Sequence, residues 1–299
     1  MALTALGVVT VAAGGLPVVI SANGRGLPVT EVAGSAKLGL AVTQVTLPKG
    51  GLPVVYVGAA APAFDPATVA WAAAVVAAGG TVSAGRKTVV DTLITGLKTD
   101  GIWAKLDRLW LFAAENSQSA LVDMVAQKPA NPIASPPFTV DRGYTCNGTA
   151  GVGSGFNPST DGVNFTLNTA HTSLWSLTSG QSTQYTALSG QTNMFTRYSD
   201  DNLYVRINNN AGGNAANADG SGFFLGVRTA ASGAGCIMGY RNGSVLVNDA
   251  TGTAALDAAP WIVNDRQIAS ASVGGTMNGT DSTKFYNRMR TYMTAVGVP

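Results

Sequence analysis

Charge is scarce in this sequence. Asp, Glu, Lys and Arg make up 11% of 299 residues, and the only glutamates are Glu31 and Glu115. Ordinary soluble domains carry roughly 25% charged residues, and a monomeric enzyme normally keeps that charge on its surface. Net charge is +2 with no basic run, so there is no electrostatic footprint for nucleic acid or an anionic membrane. Long apolar runs are missing too. WAAAVVAA at 71–78 comes nearest and is bounded by Pro66 and by Gly79-Gly80, short of the roughly 18–20 residues of a membrane span. No Lys or Arg precedes Arg25, and the apolar N-terminus therefore lacks the positive region of an export signal. The sequence predicts assembly in the cytosol without membrane insertion.

Catalytic equipment is equally thin. His171 is the single histidine, which removes histidine-rich metal sites and leaves one possible triad base; in NTAHTSLW it reads as a non-catalytic residue at a strand edge. No G-x-S-x-G nucleophile elbow occurs. GVGSG at 151–155 lies in a turn-rich region with no helix to follow, which argues against a phosphate cradle. Glycoside hydrolysis needs two carboxylates flanking one bond, and Asp200 and Asp201, as neighbours on a strand, would point to opposite faces. Asp219, in NADGSG, lacks the acidic neighbours of a calcium loop. Asn-x-Ser/Thr at Asn147, Asn164, Asn242 and Asn278 reads as turn chemistry. The expectation is no catalytic, cofactor-binding or metal-binding residue.

What is present in quantity is glycine, 37 residues of it, and a short repeat. GGLPVVI, GLPVTEV, GLAVTQV and GGLPVVYV occupy the first sixty residues, and their leading glycines Gly15, Gly26, Gly39 and Gly51 are 11, 13 and 12 residues apart. That period fits one strand plus one turn per unit. Glycine permits the turn, proline suits the first strand residue, and the β-branched run fits a pleated surface. Residues 1–60 hold no Trp or Phe and one aromatic, Tyr56, too little to bury a core alone. Open strand edges would also invite pairing. These repeats are expected to be an anchor completed by sister subunits or by a host surface; the alternative is a small β-domain closed on itself.

From Ala61 the pattern changes. Asp65 N-caps and Pro66 opens a helix that Gly79-Gly80 stops. A second helix starts at Ser83, with Val89, Val90, Leu93, Ile94 and Leu97 on one face. A third is predicted through GIWAKLDRLWLFAA from Trp103, Leu106, Leu109, Trp110 and Ala113 at helical spacing, and Asn116 caps a fourth. KPANPIASPP, with four prolines between Pro129 and Pro137, then reads as a stiff extended linker. Beyond it NLYVRIN (202–208), GFFLGVRT (222–229) and GSVLVND (243–249) alternate as strands, separated by turns such as RNGS. A final helix is capped by Asp281 and faces inward with Phe285, Met289, Tyr292 and Met293. The predicted organisation is mainly β: a repeat anchor over 1–60, a four-helix connector over 61–131, and an antiparallel jelly-roll sandwich over 132–299.

FTVDRGYTCNGTAGVGSGFNPSTDGVNFTLNTAHTSLW resembles the opening of a laminin G-like (concanavalin A-like) jelly roll as it occurs in bacteriophage virion proteins. NDRQIASASVGGTMNGTDSTKFYNRMRTYM is similar to the end of the same family, a strand followed by a last helix. GGTVSAGRKTVVDTLITGLKTDGIWAKLDRLWLFAAE resembles the segment that precedes this domain in phage and prophage proteins, and the GLPVT repeats resemble N-terminal segments of phage proteins. One departure is Cys146, where the pattern usually has glycine.

The resemblance implies a virion structural protein with an outward-facing sandwich: a capsid decoration, a neck or collar appendage, or a tail fibre. Its partners would be itself, as a trimer, and other phage structural proteins, with host surface polysaccharide as a ligand by analogy. The competing function is a virion-associated polysaccharide-degrading enzyme. Cys146 and Cys236 leave two options open, a bridge closing a loop of about 90 residues or two unrelated buried thiols.

Overall fold

The computed structural model of the protein describes residues 63–299 and four short strands within the first sixty. The chain divides into two compact units, Met1–Ala63 and Phe64–Pro299. In the first unit β1 (Gly7–Val9) pairs antiparallel with β2 (Val18–Ile20), and β3 (Val42–Val45) with β4 (Val54–Val57). Strands thus occupy the β-branched runs of the first, third and fourth repeats; that of the second lies outside the described residues. Two-stranded ribbons of this length are marginal by themselves in water.

The second unit opens on two helices. In α1 (Pro66–Ala77) the Asp65 carboxylate accepts from Ala67 N, and in α2 (Ala84–Thr99) Ser83 Oγ accepts from Arg86 N, so both helices begin where their caps predict. Val90, Leu93, Ile94 and Leu97 of α2 are buried.

The third predicted helix is not one. A single 3-10 turn at Trp103–Lys105 leads into β5 (Leu106–Trp110), and all five residues of that strand are buried. A strand covered on both faces has no alternation to reveal it, and a short apolar run reads equally well at helical period. Here β5 hydrogen-bonds into the main sheet. Asn116 does cap a helix, but α3 (Ser117–Leu121) lasts five residues. The proline-rich stretch is extended yet not a free linker, because β6 (Asn131–Ile133) is paired into the sheet. Of the connector predicted over 61–131, the residues from Phe64 onwards share one compact unit with the β-rich remainder.

The rest follows in order: β7 (Phe138–Thr139), β8 (Gly143–Gly153), α4 (Pro158–Asp161), β9 (Ala170–Ser176), β10 (Ala187–Ser189), β11 (Thr192–Phe195) and β12 (Asn202–Arg206). Then come β13 (Gly213–Ala216), β14 (Gly222–Arg228), β15 (Ile237–Arg241), β16 (Ser244–Asp249), β17 (Ile262–Gly274) and α5 (Gly279–Ala295). The strands predicted at 202–208, 222–229 and 243–249 are β12, β14 and β16. Between β15 and β16 Asn242 and Gly243 have φ of 49° and 80°, the left-handed pair that a tight hairpin turn demands.

All pairings between the described strands are antiparallel, and the main path runs β13-β12-β11-β10-β17-β9-β14-β15-β16. The spine is β17, whose 13 residues pair with β8 and β10 early and with β5 and β9 late. The sheet folds on itself, so that β12 and β13 face β15 and β16. The approach is close at Gly226, where a Cβ would lie 2.6 Å from Val205 Cγ1. Inside the fold lies one core, built on Trp110, Phe156, Leu174, Met194, Phe224 and Trp261. On the opposite face of β14, Phe223, Leu225 and Val227 join Trp71, Leu97 and the α5 residues Phe285, Met289 and Met293 in a second core. Alternation along one strand therefore glues sandwich and helices together. The cap of α5 is Asn278 rather than Asp281: Asp281 is the third helical residue and closes a capping box by accepting from Asn278 N.

Candidate functional site

The residues considered for chemistry do not converge. His171 is fully buried in β9, which lies in the middle of the sheet between β17 and β14. Its Nδ1 lies 2.5 Å from the Gly275 carbonyl and its Nε2 lies 3.2 Å from Ser272 Oγ. A carbonyl only accepts, so Nδ1 carries the proton and Nε2 accepts from Ser272, which is itself 2.6 Å from Ser173 Oγ. Burial lowers the imidazole to about 4. A hydroxyl facing a neutral imidazole would suit a nucleophile, yet His171, Ser173 and Ser272 are at most 1% exposed. No substrate reaches them as folded.

Asp200 and Asp201 sit in the turn before β12, not on a strand. Asp200 accepts from the Tyr204 hydroxyl at 2.7 Å, and Asp201 is held by Gln181 and Arg197. Those hydrogen bonds keep both carboxyls below the usual range. GVGSG belongs largely to the end of β8 rather than to a turn, and a helix does follow it, the four-residue α4. Asn147, Asn242 and Asn278 accept from nearby backbone N–H groups, and the Asn164 side chain donates to Asp107. Cys146 and Cys236 are both buried free thiols. Burial pushes Cys146 up to about 12, leaving it inert.

One concave surface does assemble polar and aromatic groups. Between the end of β9, the start of β14, the β15–β16 turn and α5 lies a cleft of about 260 Å³, lined by Trp175, Asp219, Ser221, Arg241, Tyr286 and Arg290 among others. Trp175, 2% exposed, lies beneath it, with Tyr286 stacked on its ring at 6.1 Å and 15°. The exposed Arg290 guanidinium stands 5.9 Å over the same Trp175 ring. Tyr286 and Arg290 are four residues apart on α5 and therefore share a helix face. On the opposite wall Asp219 accepts from Ser221 N and Oγ and pairs with Arg241 at 2.5 Å. Burial works against ionisation, but the Ser221 bonds and Arg241 outweigh it and hold the Asp219 carboxyl low. Asp219, considered in the sequence as a calcium ligand, is thus half of an ion pair. Among the described residues no three His, Cys, Asp or Glu side chains gather as a metal site would require.

The arrangement offers the half-buried Tyr286 ring, guanidinium donors on β15 and α5, and one anionic side chain, Asp219, on the loop before β14. That set suits a polyhydroxylated ligand: ring faces stack, and donors and acceptors read hydroxyls. Sequence reasoning singled out Asp219 alone of these residues. Tyr286 and Arg290 were legible as the face of α5 next to its apolar stripe.

No protein-family model matches the chain, and no curated protein matches it. Among solved structures it is similar to Domain 4 of AbnA, a GH43 extracellular arabinanase from Geobacillus stearothermophilus, in complex with arabinotriose. That match has a TM-score of 0.44 and 14% identity, covering 60% of this chain and 98% of the other. It is also similar to a mutant of Trypanosoma rangeli sialidase displaying trans-sialidase activity, with a TM-score of 0.39 and 11% identity over 70% of this chain and 40% of that one. With both TM-scores below 0.5, neither likeness carries a residue, a ligand or an activity to this chain.

Proposed function

We propose that this chain is a non-catalytic structural protein of a bacteriophage particle, an appendage whose β-rich unit, read as a laminin G-like jelly roll, holds a glycan of the host surface. Its N-terminal repeats anchor it to other structural proteins of the particle, and the chain assembles with copies of itself as a trimer. The phrases that resemble phage proteins support this reading, together with a charged fraction of 11%, which suits a packed assembly better than a free enzyme.

The observation that carries the ligand class is the cleft over Trp175. Its volume, about 260 Å³, lies just under the roughly 300–1,000 Å³ of drug-sized sites, the scale of one sugar residue. Its single carboxylate side chain, Asp219, is engaged by Arg241, whereas glycoside hydrolysis uses two carboxyl groups about 5–9.5 Å apart. One carboxylate side chain, already paired, supports a cleft that holds a sugar over one that cuts it. Immobilised bacterial lipopolysaccharide provides the test: the full chain binds, and Arg290→Ala and Tyr286→Ala weaken binding about tenfold. Unchanged binding by both variants would remove the cleft from the account.

A further inference from the structure

A second aromatic and polar surface lies on the outer face of β11 and β12. Along these strands Met194, Leu203 and Val205 enter the inner core, which leaves Phe195, Tyr204 and Arg206 on the other side. Tyr204 packs 5.8 Å from Phe195 and 5.6 Å from Tyr198, centroid to centroid. The half-buried Arg206 guanidinium lies 5.3 Å over the Tyr204 ring and 6.0 Å over Phe195.

What marks this surface is an unused cation. Arg228 and Arg266 have their guanidinium groups met by backbone carbonyls, and Arg241 and Arg288 are met by carboxylates. Arg206 has no ion pair or side-chain hydrogen bond among the described residues, and its Nε is buried without a partner. Its cross-strand neighbour Asn193 is 4% exposed, and the Oδ1 of that side chain is likewise without a partner. Leaving such groups unmet costs stability. Arg266 also has a buried Nε without a partner, but its terminal nitrogens donate to the carbonyls of Gly180 and Arg197, whereas the Arg206 guanidinium makes no hydrogen bond among the described residues. Arg290, in the cleft, is the other arginine over an aromatic ring without a polar partner among the described residues.

We propose that this outer face is a second saccharide-binding surface, distinct from the cleft, which takes a neutral pyranose against Tyr204 with Arg206 donating on one side and Asp200 accepting on the other. Asp200 is already fixed by the Tyr204 hydroxyl, so donor, ring and acceptor are held in place before binding. The face carries one cation, Arg206, and one carboxylate, Asp200, so its charges balance and a neutral ring is met by a donor and an acceptor without a net charge. The surface adjoins the cleft. Asn217, just before Asp219, donates from Nδ2 to Thr196 O at 2.6 Å and from its backbone N to Asp201 O at 2.7 Å.

The inference rests on the glycan reading above, and the test separates the two. Calorimetric titration of the full chain uses neutral disaccharides from lipopolysaccharide O-chains, with a uronate disaccharide as the contrast. The wild type takes up two neutral equivalents per chain, and Arg206→Gln and Arg290→Ala each reduce this to one. The uronate binds the outer face at least tenfold more weakly. Tyr204→Phe keeps the ring and removes only its bond to Asp200, weakening one site several-fold with an unchanged melting temperature. One equivalent in the wild type, indifferent to Arg206→Gln and Tyr204→Phe, would overturn the second surface and leave the cleft standing. Loss in those variants with Arg290→Ala silent would sustain the outer face and overturn the cleft. No uptake at all would overturn both.

Discussion

His171, the one histidine and read from the sequence as non-catalytic, is a determinant of stability. Free histidine titrates near 6.5, and burial lowers this one to about 4. Between those values the unfolded chain binds a proton that the folded chain refuses, so stability falls as pH drops from about 6.5 towards 4. At ~1.4 kcal/mol per unit the loss reaches about 3 kcal/mol. Urea midpoints between pH 7 and 4.5 should show that slope, and His171→Asn should flatten it. Below the usual carboxylate value a further loss sets in, because Asp65, Asp100 and Asp281 are held low by Lys98, Arg288 and Lys105, against some burial. Arg228 makes a parallel case. It is 0% exposed, and its guanidinium donates to the carbonyls of Ile207, Ala230 and Thr251. Arg228→Met strands those acceptors, and at about 1–3 kcal/mol for each unmet buried group the variant should lose roughly 3 kcal/mol or more in urea unfolding. Neither role was legible in the sequence, because each depends on partners far along the chain: Gly275 and Ser272 for His171, Thr251 for Arg228.

At the scale of elements, the features readable locally were those governed by local chemistry. Asp65, Ser83 and Asn116 cap the helices they announce, and the Asn242-Gly243 turn stands where its residue types require. Leu106–Trp110 was misread because burial on both faces erases the period that distinguishes strand from helix. Asp107 explains why a charge is tolerated there: its carboxylate accepts from the backbone N–H groups of Val163, Asn164 and Phe165 and fixes the segment before β9. The capping box at α5 gives a direct check. Asn278→Ala removes the acceptor for Asp281 N and should cost about 1 kcal/mol, measurable as a lower urea midpoint. Gln at position 281 keeps part of the box and should cost less.

For the whole molecule, two weak signals in the sequence point the same way. Little charge and a repeat poor in large side chains are both what the proposed assembly would require. The full chain should scatter light as an oligomer, and a chain beginning at Ala61 should scatter as a monomer; two monomers would remove the anchor role of the repeats. The cleft belongs to this scale as well, because β9, β14, the β15–β16 turn and α5 come together only after the sheet has folded and the helix has docked. The most direct measurement follows purified full-length protein incubated with bacterial lipopolysaccharide, scoring bound polysaccharide and released oligosaccharide in the same samples. The account predicts saturable binding with no shortening of the chains; progressive release of oligosaccharide would contradict it.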